Sequence, residues 1–96
     1  MADIKSILTL INRKQAEWRT VNDQPCMHTF IGDFYINLCL YKSNNKNVIA
    51  IDVDDVRKGI SDLLALDVSE DDSFYNDLYT LYSSSKGNAK NIALPA

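Results

Sequence analysis

Cysteine, histidine, glycine and proline are all scarce in this chain, which has two cysteines, one histidine, three glycines and two prolines. Two cysteines are too few for the multiply bridged scaffold of a small secreted domain. With a single histidine they also lack the paired C-x-x-C or H-x-x-x-H spacing of a structural zinc module. No apolar run approaches the roughly 20 residues that span a bilayer, so no membrane partner is expected. No polybasic stretch is present either, and direct binding to nucleic-acid phosphates is not expected. The opening MADIKSIL has no basic segment followed by a long apolar one. That leaves no secretory leader to read and makes the cytoplasm the expected compartment.

What is present is an ordinary globular composition, 46% hydrophobic and 24% charged over 96 residues. It suits one domain with a single core. Apolar periodicity predicts a helix over 3–19, where Ile4, Ile7, Leu8, Ile11 and Trp18 follow helical spacing. Pro25 then bars continuation. Residues 26–31 and 34–42 read as strands joined by a Gly32-Asp33 hairpin turn. VIAIDV (48–53) reads as a third strand. A second helix is expected over 54–66, with Val56, Ile60, Leu63 and Leu64 on one face and Gly59 as a soft point in its middle. A third is expected over 69–84. The expected fold is α+β, a two-layer α-β-β-β-α-α arrangement with a three-stranded antiparallel meander and its helices on one face. Residues 1–84 form the expected globular domain and 85–96 a polar, flexible tail.

The Gly32-Asp33 turn places Cys26 opposite Cys39, His28 opposite Asn37 and Phe30 opposite Tyr35, all on one side of the hairpin. The other side holds Met27, Thr29, Ile31, Phe34, Ile36, Leu38 and Leu40 and is the side expected to meet the helices. Four readings compete for the polar set. A thiol nucleophile would need His28 beside a sulfur and an oxyanion hole, and an open strand offers no such hole. A metal site built on Cys26, His28 and Cys39 would need Asp52 as its fourth ligand, which depends on Asp52 lying beside Cys39. A disulfide fits the geometry of directly opposed strand residues. The fourth reading makes the set part of a sheet face. That face also bears Tyr41, Val48 and Ala50, and such aromatics call for something to cover them. The hairpin therefore reads as a covered or partner-binding surface.

Charge is unevenly spread. Residues 52–77 carry nine acidic and two basic side chains, although the whole chain is only −3. Asp67, Ser69 and Asp71 match the first positions of a calcium loop, but Asp72 stands where glycine is needed and Leu78 where the bidentate glutamate belongs. Asp54 and Asp55, and Glu70, Asp71 and Asp72, read instead as helix-start carboxylates. Together with Asp52, Asp62, Asp67 and Asp77 they also give a negative surface that would attract a basic partner. In SFYNDLYTLY, Tyr75, Tyr79 and Tyr82 make a second stripe beside Phe74, Leu78 and Leu81.

The functional expectation is a small acidic non-enzymatic module that binds another protein stoichiometrically, as an inhibitor, immunity or adaptor protein does. Its expected contact residues are Phe30, Tyr35, Tyr41, Asp71, Asp72, Tyr75, Asp77, Tyr79 and Tyr82. The partner is a protein with a basic surface, or a second copy of the chain. No cofactor or metal is expected. Two alternatives stand beside this reading: imitation of nucleic-acid phosphates to occupy a DNA- or RNA-binding enzyme, and a thiol or metal protein built on the Cys26, His28 and Cys39 face.

Overall fold

The computed structural model describes residues 4–14, 16–22 and 24–92. Helix α1 (Ile4–Lys14) leads into β1 (Arg19–Val21), followed by β2 (Cys26–Ile31), β3 (Phe34–Ser43), β4 (Lys46–Asp55) and β5 (Ile60–Ser69). Helix α2 (Tyr75–Asn88) and β6 (Lys90–Ile92) complete the order. The strands form one six-stranded sheet in the order β5-β4-β3-β2-β1-β6. Every neighbouring pair is antiparallel except β1 and β6, which run parallel.

The turns set the registers. Gly32, at φ +58°, closes the β2–β3 hairpin and pairs Ile31 with Phe34. Asn44 and Asn45, at φ 52° and 63°, close β3 onto β4 in the left-handed conformation that a two-residue hairpin requires. Alternation then sends Met27, Ile36, Leu38, Ile49, Ile51 and Val53 to one side, where each is completely buried. Ile7 and Ile11 of α1 and Tyr75, Leu78 and Tyr82 of α2 join them in one core, so both helices lie on this inner face. Full burial of each such aliphatic side chain contributes about 1.5–3 kcal/mol. The Tyr82 hydroxyl donates to the Pro25 carbonyl at 2.8 Å, and Thr29 Oγ1 donates to the Glu17 carbonyl at 2.7 Å. No buried polar side-chain atom among the described residues lacks a partner.

The expected three-stranded meander with three helices is overturned: the sheet is mixed and six-stranded, with two helices. The helix expected over 54–66 is instead the end of β4, a turn at 56–59 and the start of β5. Ile60, Leu64 and Val68 are spaced by four, which satisfies a period of two as well as a helical one. The turn decides between them. Gly59 takes φ +66°, its N–H donates to the Val56 carbonyl, and Asp55 Oδ1 accepts the N–H of Lys58. The first helix ends at Lys14, and Trp18, which fitted its period, is buried just ahead of β1. Residues 70–74 close β5 by turns, and α2 starts only at Tyr75. Residues 85–88 extend that helix, and 90–92 pair with β1. Among the described residues, no helix is long and apolar enough to cross a membrane.

Candidate functional site

The outer side of the sheet is the surface on which the chemistry-bearing residues gather. The described helices pack on the other side, so this side carries no helix, although Val48 on it is buried. Directly opposed residues share a side, and the registers give a row across the sheet: Lys90, Arg19, His28, Asn37, Asp52 and Ala65. A second row holds Cys26, Cys39, Ala50 and Asp67, and a third holds Phe30, Tyr35 and Asp54. The face therefore runs from basic at the β6–β1 end to acidic at the β4–β5 end.

At its centre Cys26 and Cys39 form a disulfide, with Cα atoms 4.0 Å apart. The pairings drawn from the Gly32-Asp33 turn are present, with His28 opposite Asn37 and Phe30 opposite Tyr35. Tyr35 is a hub for rings: its centroid lies 5.0 Å from that of Phe30 and 5.8 Å from that of His28. Asn37 Nδ2 approaches Cys39 Sγ at 3.6 Å. Asp52 pairs with Asn37, while Cys39 faces Ala50, so the fourth ligand of the imagined metal set is displaced by two residues. Both sulfurs are bonded to each other, and among the described residues no group of three or more potential ligands is gathered around a metal position.

The acidic end is a real cluster. Burial raises the pKa of Asp52, and the charges of Asp62, Asp54 and Asp67 raise it further. Tyr35 is raised by burial and then by Asp54. Tyr41 is raised by desolvation and then by the nearby Asp67. Asp54 Oδ1 also accepts the N–H of Asp62 at 2.8 Å, which steadies the left-handed Asp62 at φ 55°.

The expected contact residues divide. Phe30 (63% exposed) and Tyr35 lie together on this face, and Tyr41 (41% exposed) lies on the same face further along β3. Tyr75 and Tyr82 are buried in the core, and Tyr79 is exposed on α2, stacked on Tyr75 with centroids 5.7 Å apart. Asp71 pairs with Lys46, and Asp72 Oδ2 accepts the Ser69 N–H at 2.9 Å, closing the turn after β5. Asp77 lines a separate cleft between the helices with Lys5, Thr9 and Asn12. Asp54 and Asp55 end a strand and Glu70, Asp71 and Asp72 occupy a turn, so none of the five starts a helix. The sequence reading placed Asp52, Asp54, Asp62 and Asp67 in one negative surface but left all four out of the expected contact residues. Part of that surface could be read in VIAIDVD, where Asp52 and Asp54 alternate with Ile49, Ile51 and Val53. No protein-family model, curated protein or solved structure matches the chain.

Proposed function

We propose that the chain is a non-enzymatic protein-binding module of the inhibitor, immunity or adaptor kind, acting by stoichiometric contact with a partner that has a basic surface. One observation carries this reading. The outer sheet face carries neither described helix, yet it displays Phe30 and Tyr41 to solvent on the same face as the Asp52, Asp54, Asp62 and Asp67 group. Large rings within a charged frame are the composition of a contact surface with an apolar centre and a polar rim. Covering one such ring contributes about 1.5–3 kcal/mol, while the carboxylates speed the approach of a positive surface and set its orientation.

The test is capture of partners on the immobilised chain, with native mass spectrometry for stoichiometry. The chain should retain a basic protein at a fixed ratio. The Phe30→Glu, Tyr41→Glu double variant should lose it while keeping its circular dichroism spectrum, because both side chains are exposed. Retention unchanged in that variant would refute the sheet face as the contact surface.

A further inference from the structure

We infer that the free edge of β5 accepts an extended segment of the partner as a seventh strand, the segment carrying a basic residue flanked by apolar ones. This rests on the protein-binding reading above and specifies how contact is made. Strand β5 lies at the end of the sheet, and among the described residues β4 is its one neighbour. The other terminal strand, β6, is only three residues long.

Backbone parity shows which groups are unpaired. Glu70 donates its N–H to the Asn47 carbonyl at 2.9 Å, so residue 70 points towards β4. Alternation directs Leu64, Leu66 and Val68 the same way, opposite Val53, Ile51 and Ile49. Ala65 and Asp67 then point their N–H and C=O groups outward, and Leu63 its C=O. Ser69, next in that series, is already closed off, because its N–H goes to Asp72 and its carbonyl accepts the Asp72 N–H. The available edge is the short run 63–67. It contains no proline, lysine or arginine, and the irregularity in β4–β5 pairing, between Ile60 and Leu64 on this strand, reaches only its first residue. Those are the devices that normally blunt an edge.

The two sides of this edge differ. On the inner side Leu66 is 41% exposed, although Ile51, its partner on β4, is completely buried. The helices do not reach far enough to cover it. On the outer side Ala65 lies beside Asp52, with Asp67 two residues on and Asp54 on the next strand. An added strand alternates in the same way, so its residue opposite Ala65 meets carboxylates and the residues on either side meet Leu64 and Leu66. Lysine or arginine between two aliphatic residues satisfies both sides. A second copy of this chain does not, because it would bring its own Asp52 and Asp67 to the same edge. Strand addition is a recurrent mode of peptide recognition, with main-chain hydrogen bonds giving affinity and alternate side chains giving selectivity.

The probe is a synthetic octapeptide of alternating valine and arginine, titrated into the ¹⁵N-labelled chain, with a valine–glutamate octapeptide as control. The arginine peptide should bind saturably, slow the amide exchange of Ala65 and Asp67, and leave Phe30 and Tyr35 unshifted, while the control should not bind. Ala65→Pro removes an outward N–H without touching the β4 ladder and should weaken binding by about tenfold, the loss of one to two hydrogen bonds. Should that variant unfold, Leu66→Lys, an exposed substitution, gives the same reading. Equal binding by the glutamate peptide, or undiminished binding by a folded edge variant, overturns the proposal. So does protection of the same amides without peptide in a sample of doubled mass. Shifts confined to Phe30, Tyr35 and Tyr41 overturn it while leaving the sheet-face reading in place. Absence of saturable binding overturns it too, and partner capture then stands as the independent test of that reading.

Discussion

The carboxylate of Asp52 is half-buried on the outer face, with Asp54 two residues along its own strand and Asp62 and Asp67 on β5. Burial and then these three negative charges raise its pKa above the ordinary 3.8. A raised carboxylate pKa means that the folded chain holds this proton more tightly than the unfolded chain does. The associated stability is fully present below the ordinary aspartate pKa and is lost as pH rises through the folded value. At neutral pH Asp52 is therefore a cost to the fold, as expected of a group placed for contact rather than for stability. Asp52→Asn keeps the shape and removes the charge. It should raise the urea midpoint at neutral pH, with the gain shrinking as pH falls through the carboxylate range and absent below it. A variant less stable than the parent at neutral pH would show instead that the charge supports the fold.

At the scale of elements, the turn before β5 is the place where sequence and structure part, and Gly59 turns the difference into a measurement. In a helix over 54–66, Gly59→Ala would stabilise by about 1 kcal/mol. In the observed turn Gly59 holds φ +66° with open space around it, so a Cβ meets no atom and only the backbone conformation opposes it. Gly59→Ala should then destabilise by about 1–2 kcal/mol, and Gly59→Asn by less, as denaturant midpoints would show. A stabilising alanine would restore the helix. The β2–β3 pairing was legible because two residues, Gly32 and Asp33, fix every partner up to Cys26 and Cys39. The β3–β4 register was open from the loop SNNKN until Asn44 and Asn45 proved to be the turn, which sets Asp52 beside Asn37. Strand β5 was hidden because Ile60, Leu64 and Val68 fit both periods. Strands β1 and β6 leave almost no local trace: each is three residues long, and their pairing joins Arg19 to Lys90 across most of the chain. Tyr75, Leu78 and Tyr82 fall on one helical stripe and are buried together, whereas Tyr79 lies off it.

Taken whole, the molecule is a two-layer structure with its helices on one side and a bare sheet on the other. Such a sheet, with a free edge at β5 and an exposed Leu66, ought to stack or pair with its own kind. A formal charge of −3 is a weak general deterrent, but Asp52, Asp54, Asp62 and Asp67 concentrate it at the edge where pairing would start. Antiparallel pairing of two β5 strands would set these groups against their counterparts within roughly 10–15 Å, from the strand spacing. That is little beyond the Debye length of about 8 Å at physiological salt, so the repulsion is felt and can be screened. The carboxylates that would favour the proposed basic partner thus disfavour a second copy, which would be specificity obtained by repulsion as well as attraction. The parent chain should sediment as a monomer at low salt. The Asp52→Asn, Asp67→Asn double variant should show a concentration-dependent rise in mass, strengthened by added salt. Adding Leu66→Lys to that variant should return it to the monomer, because a charge then stands in the apolar half of the edge. A double variant that stays monomeric at high concentration would show that its carboxylates do not guard the edge. A mass rise that survives Leu66→Lys would move self-association to the exposed rings of the outer face, Phe30, Tyr35 and Tyr41.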